Sequence, residues 1–397
     1  MCKIVLKKIN NYLFNKQECL FLPKNRLNMK SIIIILSFLC VLSCKENKNT
    51  ETTNKESSEV QLDTKKDSLI FKEERHFKSI QQVTFGGDNA EAYWSFDDKQ
   101  MIFQSNFKDW GLNCDQMFLM NIGESFKDNK PPMVSTGKGR TTCAYFLPDN
   151  KHFVYASTHL ADENCPEVPL RKNGKYVWPV YDSFDIFVAD LEGNITAQLT
   201  TEPGYDAEAT VSPKGDKIVF TSTRSGDLEL YTMNIDGSEV KQITDELGYD
   251  GGAFFSPDGT KLIFRSSRPK TEEEIKAYKD LLANGLVEPT DMELYICDAD
   301  GSNLRQLTNL GNANWSPFFH PSGEKILFSS NFEAERGFPF NLYMIDLDGK
   351  NLERVTHGET FDAFPVFSND GKYLAFSSNR NNGGGRDTNL FIAEWVD

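Results

Sequence analysis

The sequence predicts an all-β protein: a six-bladed β-propeller of four-stranded antiparallel blades, closed by an N-terminal strand pairing with the last blade. Three observations carry this prediction. One phrase recurs six times along the chain, a second phrase follows each copy, and the array lacks at its end a strand that it carries in surplus at its start.

The clearest copy of the first phrase is Phe254-Phe255-Ser256-Pro257-Asp258-Gly259, with Leu262-Ile263-Phe264 and Ser266-Ser267-Arg268 behind it. It returns as Val211-Ser212-Pro213-Lys214-Gly215 with Ile218-Val219-Phe220, as Phe319-His320-Pro321-Ser322-Gly323 with Ile326-Leu327-Phe328, and as Phe367-Ser368-Asn369-Asp370-Gly371 with Leu374-Ala375-Phe376. Two looser copies lead the array: Trp94-Ser95-Phe96-Asp97-Asp98 with Met101-Ile102-Phe103, and Phe146-Leu147-Pro148-Asp149-Asn150 with Phe153-Val154-Tyr155. In these, Asp98 and Asn150 replace the turn glycine. The second phrase reads Leu230-Tyr231-Thr232-Met233-Asn234-Ile235-Asp236-Gly237 and then Val240-Lys241-Gln242-Ile243-Thr244. Short period-two apolar stretches separated by turns that accept positive φ mark an antiparallel meander, so each unit reads as four strands. Gly215 and Gly259 stand 44 residues apart, the spacing of a four-stranded blade at about 40–50 residues. The last unit stops at Leu390-Phe391-Ile392-Ala393-Glu394-Trp395 without a fourth strand, while Ile80-Gln81-Gln82-Val83-Thr84 matches Val240-Lys241-Gln242-Ile243-Thr244. A strand at 79–85 is therefore expected on the last blade, where it removes the gap between the first blade and the last.

Ahead of the array, Lys30 feeds the apolar run Ile32-Ile33-Ile34-Ile35-Leu36, too short for a membrane span and ending in Val41-Leu42-Ser43-Cys44. That pattern is a secretion signal and resembles the lipobox of bacterial lipoproteins, with Cys44 as the lipid anchor. Translation is expected to start at Met29, leaving 1–28 as an upstream mis-start, 29–43 as the signal peptide and 44–75 as a disordered tether. The tether is rich in Lys, Glu, Asn, Thr and Ser, with too few apolar residues to offset the entropy of ordering it. The propeller then occupies 76–397. Export to the periplasm or cell surface is expected, with the outer membrane reached through the N-terminal lipid only.

Ser-Pro-Asp-Gly, an apolar strand ending near Ser-x-Arg, a Tyr-containing strand and Asp-Gly together resemble the TolB-type, WD-like propeller repeat. The likeness covers about residues 79 to 397 and is tightest in blades three to six. It implies a non-catalytic binding scaffold related to the periplasmic component of the Tol system, whose propeller binds a peptidoglycan-associated lipoprotein. TolB-type proteins carry an α/β domain before the propeller, and here a tether stands in its place. Related propellers also support metal-dependent hydrolases or lyases, and others regulate a separate peptidase.

The long insertions, 158–182, 269–291, 331–340 and 379–388, all fall on one face, which is where function is expected. Segment 271–282 reads as a helix capped by Thr271, either packing on its own blade or meeting a partner. Loops leading into the inner strands supply Asp88, Glu91, Arg140, Asp206, Glu208, Asp250, Asn314 and Asp362, and the strand-end arginines Arg224 and Arg268 join them at the channel mouth. Such a ring can hold a divalent cation, a basic peptide or a polar small molecule, and its members equally serve to satisfy loop amides. Tyr176 and Trp178 can stack on a ligand or pack locally.

Cys114, Cys143 and Cys165 map to this face in blades one and two, so one disulfide among them is expected after export, with the pairing open. Cys297 reads as core. No nucleophile elbow, HExxH or phosphate loop occurs, and His159 with His357 are the only loop-face histidines that offer a metal site. No cofactor other than that cation is expected. The formal charge of −15 repels phosphate backbones and excludes nucleic acid as a partner. An envelope protein or peptide, or a glycan, is the expected ligand of a monomer.

Overall fold

The computed structural model describes residues 69–169 and 171–397; Cys44, the signal peptide and the tether as far as residue 68 lie outside the described residues. Six antiparallel blades stand in a ring, each beginning with an inner strand. These inner strands are Asn89–Trp94, Thr141–Phe146, Asp206–Val211, Asp250–Phe255, Asn314–Phe319 and Asp362–Phe367. Each packs against the next, and the first meets the sixth. At that seam Trp94 Nε1 donates to the Val366 carbonyl at 3.1 Å, and the Asp98 carboxylate accepts from the amides of Asn369 and Asp370 at 2.8 and 2.9 Å.

The repeated letters have repeated jobs. A cross-strand aromatic pair stands in every blade between the second and third strands: Phe103–Phe118, Tyr155–Phe187, Phe220–Tyr231, Phe264–Tyr295, Phe328–Tyr343 and Phe376–Phe391. Their ring centroids lie 5.7–6.2 Å apart, a spacing at which each pair contributes about 0.5–1.5 kcal/mol beyond the area it buries. The threonine that ends the second phrase is equally regular. The hydroxyls of Thr200, Thr244, Thr308 and Thr356 accept the amide of the third strand's second residue at 2.8–2.9 Å, and Ser135 does so in blade one. Thr84 performs the same service for Leu390 at 2.9 Å. Accordingly Phe77–Gln82 lies antiparallel on Asn389–Trp395 as the outer strand of blade six, with Gln82 opposite Phe391. In blade one, Pro132–Val134 lies along the third strand in place of a full fourth one.

Asp98 and Asn150 hold φ of 56° and 53°, where the other blades place glycine at about 70°. Short polar side chains tolerate this left-handed geometry, which is why the two leading copies keep the turn without its glycine.

Residues 69–75, assigned to the tether from composition, instead descend the seam between blades five and six. Glu74 is buried against Arg380 at 3.1 Å, Leu69 accepts from Arg380 at 2.9 Å, and the Arg380 guanidinium lies 5.1 Å over the Phe71 ring. The segment is thus ordered by a charge-assisted cluster together with Leu69 and Ile70, which pack against the hydrophobic core of blades five and six.

Candidate functional site

Each inner strand breaks its register two residues after its start, and the residue at the break lies in the left-handed region unless noted: Glu91, Cys143, Glu208, Gly252, Ser316 and Phe364, with φ between 49° and 59°. This sixfold β-bulge turns one residue per blade toward the axis, and the six line a cavity of ≈ 40 Å³ in the channel. That is room for little more than a water molecule. Gly252 leaves its share of the ring open, and Arg265 from the neighbouring strand fills it; a Cβ at 252 would collide with the guanidinium.

Charge in the ring is unevenly matched. Glu208 pairs with Arg265 and accepts from Thr221 at 2.7 Å, Tyr249 at 2.8 Å and the Gly252 amide at 2.9 Å. Burial pulls its carboxyl upward, yet Arg265 and these donors hold it below the usual value. Glu91 has no such counter-ion: its Oε2 is out of solvent without a partner among the described residues. Burial raises its carboxyl to about 7, against the hydrogen bond of Cys143, and Glu208 adds to the rise. Below the ring the channel is stopped by aromatic side chains, with Tyr93 5.3 Å from Tyr145 and 5.9 Å from Phe254 and Phe254 5.1 Å from Phe318.

Above the ring, two insertions meet. Trp178–Pro179 from blade two pairs with Leu286–Val287 from blade four. Trp178 lies 5.3 Å over Arg265 and 5.1 Å from Trp315, which stacks on Phe340 at 4.5 Å. The channel is therefore roofed, and Trp178 packs across blades, with its Nε1 donating to the Tyr176 hydroxyl at 3.0 Å. Helix α1 (Glu272–Leu282) begins with a capping box between Thr271 and Glu274, and its Tyr278 donates to Asp227 of blade three. Between this helix and segments 167–169 and 179–182 lies a groove of ≈ 1210 Å³, open to solvent, with Tyr205, Thr223 and Gly226 of blade three along its floor.

Of the residues expected at the channel mouth, only Glu91 and Glu208 face the channel. Asp206 pairs with Arg224 at 2.9 Å, Asp250 with Arg268 at 2.6 Å and Asp362 with Arg380 at 2.9 Å, all buried between strands. These pairs explain the Ser-x-Arg ending: the arginine folds back onto the first residue of its own blade's inner strand. The repeats confirm the pairing by their exceptions. Where the arginine position is Phe107, His159 or Phe332, the inner strand begins with neutral Asn89, Thr141 or Asn314. Asn314 accepts from Ser330 at 2.7 Å and donates to the Met292 carbonyl at 2.8 Å. Asp88 is exposed beside Asn106 and Thr388, and Arg140 is held by Asp115, both at a shallow side pocket. The bulge is the physical reason for these displacements, since it moves the axis-facing position two residues past the conspicuous aspartates.

The His159 ring lies tilted against Phe187 with centroids 4.6 Å apart and shares a hydrogen bond with Ser157 at 2.9 Å, filling the place that arginine takes over the same aromatic pair elsewhere. His357 offers its amide to Glu74 at the blade-five seam. Among the described residues no three His, Cys, Asp or Glu side chains form a group able to hold a metal ion. Cys114 and Cys165 form a disulfide with Cα atoms 5.8 Å apart, and Cys143 is the free thiol in the channel. Sequence reasoning missed Cys143, Ser316, Phe364 and Arg265 as channel residues. Aligning the six copies column by column at the position two after Asp206 would have found the first three.

Residues 178–279 match the family profile of the TolB beta propeller domain. Among solved structures, the chain is similar to a putative TolB from Agrobacterium tumefaciens, at 18% identity over 78% of this chain and 91% of that one, TM-score 0.47. It is similar to TolB from Acinetobacter baumannii at 18% identity over 79% of this chain and 65% of that one, TM-score 0.47. An oligogalacturonate lyase from Vibrio parahaemolyticus aligns at 12% identity over 82% and 95%, TM-score 0.49. No curated protein matches.

Proposed function

From the TolB-like propeller fold, we propose that this chain is an exported, non-catalytic binding scaffold of the cell envelope, held at the membrane by lipidated Cys44, and that a polypeptide partner docks on its insert-bearing face. One observation carries the reading. Insertions from two blades that are not neighbours join over the channel and leave a groove of ≈ 1210 Å³ beside the seal. Packing within a blade has no need of such a bridge, whereas a preformed concave surface on a rigid ring lowers the cost of ordering a ligand. The channel itself holds a cavity of only ≈ 40 Å³, which directs binding to the roof.

A photo-crosslinking side chain placed at Val168 or Ala283 in the groove, with exposed Glu192 on the opposite face as control, tests this in whole cells. A discrete crosslinked protein at the groove positions alone is expected. Equal labelling from both faces, or none from the groove, overturns the proposal.

A further inference from the structure

The groove is lined on both sides by aliphatic and prolyl side chains, among them Val168, Pro169, Val180, Leu282 and Leu286. Its tyrosines are occupied: Tyr205 is buried in the floor, and the Tyr181 hydroxyl donates to the Glu167 carbonyl. Hydroxyl-rich sugars are held on open aromatic faces, whereas aliphatic walls suit the side chains of an extended polypeptide.

Two carboxylates stand on the rim, Glu167 and Asp182, with one ammonium, Lys279, across from them. All three are exposed, and none belongs to an ion pair among the described residues. The rim therefore carries a net negative charge on a chain whose formal charge is −15. The wall that bears Glu167 is fixed from both directions. Cys165, two residues before it, is bonded to Cys114 of blade one, and beyond it Trp178–Pro179 is paired to the blade-four insertion. A groove held in this way is preorganised, so few side chains need ordering when a ligand arrives.

Resting on the binding-scaffold reading above, we propose that the groove seats an extended cationic segment of a polypeptide. Its apolar side chains lie along Val168, Pro169 and Leu282, and its Lys or Arg side chains reach Glu167 and Asp182. The charges speed encounter and set the preference for basic segments, while the aliphatic walls supply the greater part of the affinity.

The test uses synthetic extended peptides of one apolar framework whose guest positions carry Lys, Ser or Glu, read by fluorescence anisotropy against the full exported chain. The Lys series is expected to bind tightest and to weaken as salt rises. Combining Glu167→Gln with Asp182→Asn should weaken it by roughly fivefold, the effect of about 1 kcal/mol of exposed ion pairing. Glu192→Gln on the opposite face should leave it unchanged. Peptides that bind regardless of guest charge overturn the cationic preference and leave the scaffold reading standing. Binding that survives the double substitution at full strength places the site elsewhere. If no peptide binds while neutral oligosaccharides do, the occupant is a glycan and the polypeptide inference is overturned.

Discussion

Replacing Glu91 by Gln should stabilise the protein in a pH-dependent way, because this carboxyl is buried in the channel ring without a counter-ion. Burial moves it from an ordinary 4.5 to about 7. A raised carboxyl contributes stability that is fully present below its unfolded pKa and is lost as pH rises through the folded one. At about 1.4 kcal/mol per unit, preferential ionisation in the unfolded chain costs the fold about 1 kcal/mol near pH 5, and the full cost of about 3 kcal/mol is reached above pH 7. Glutamine cannot ionise, so the variant should gain about 2 kcal/mol over wild type between pH 5 and pH 8, or roughly 3 to 5 °C in melting temperature for a domain of this size. Glu229, raised to about 8 by burial and by the neighbouring Asp250 and Asp227, adds a similar slope over an overlapping range that extends to about pH 8. Since that slope is common to both proteins, the difference between them isolates Glu91. Urea titrations of wild type and variant at the two pH values supply the measurement. Parallel pH profiles would refute the claim that Glu91 lies unpaired in the channel.

Three further alterations probe the rest of the architecture. Arg380→Ala leaves Glu74 and Asp362 buried and uncompensated, and should destabilise by about 3–5 kcal/mol. Adding Asp362→Asn should restore part of that loss in a thermal melt, and a double variant no better than the single one counts against the cluster. Deleting 79–85 removes most of the outer strand of blade six and Thr84, and should abolish the cooperative transition seen by calorimetry; an unchanged melting curve sinks that expectation. Trp178→Ala lifts the roof from Arg265, so alkylation of Cys143 should accelerate severalfold while Cys297, buried in a strand, stays unreactive. Equal rates for Cys143 in both proteins mean that the channel is closed by something other than the tryptophan.

Most of the local chemistry was legible. Strand positions, the turns at Asp98 and Asn150, the capped helix at 272–282 and the blade count all follow from patterns within about 45 residues, because each depends on neighbours in the chain. Even the Ser-x-Arg ending and the inner-strand aspartates are visible as letters, although their pairing as Asp206–Arg224 or Asp250–Arg268 emerges only when second strand and inner strand lie side by side. A buried charge looks the same in sequence as a solvated one, and so these aspartates read as a channel mouth.

By itself, then, the sequence determined a ring of six repeated sheets, since hydrophobic period, turn chemistry and copy number are properties of a string. The tertiary structure decided which residues meet across that ring. The bulge that aims Glu91, Cys143 and Glu208 at the axis changes register by one residue without altering the apolar pattern, and it therefore leaves no mark on periodicity. The joining of Trp178–Pro179 to Leu286–Val287 brings together residues more than 100 positions apart. Only the closed ring places the two insertions on the same side of the channel, and the groove they frame exists nowhere else in the chain's description than in that closure.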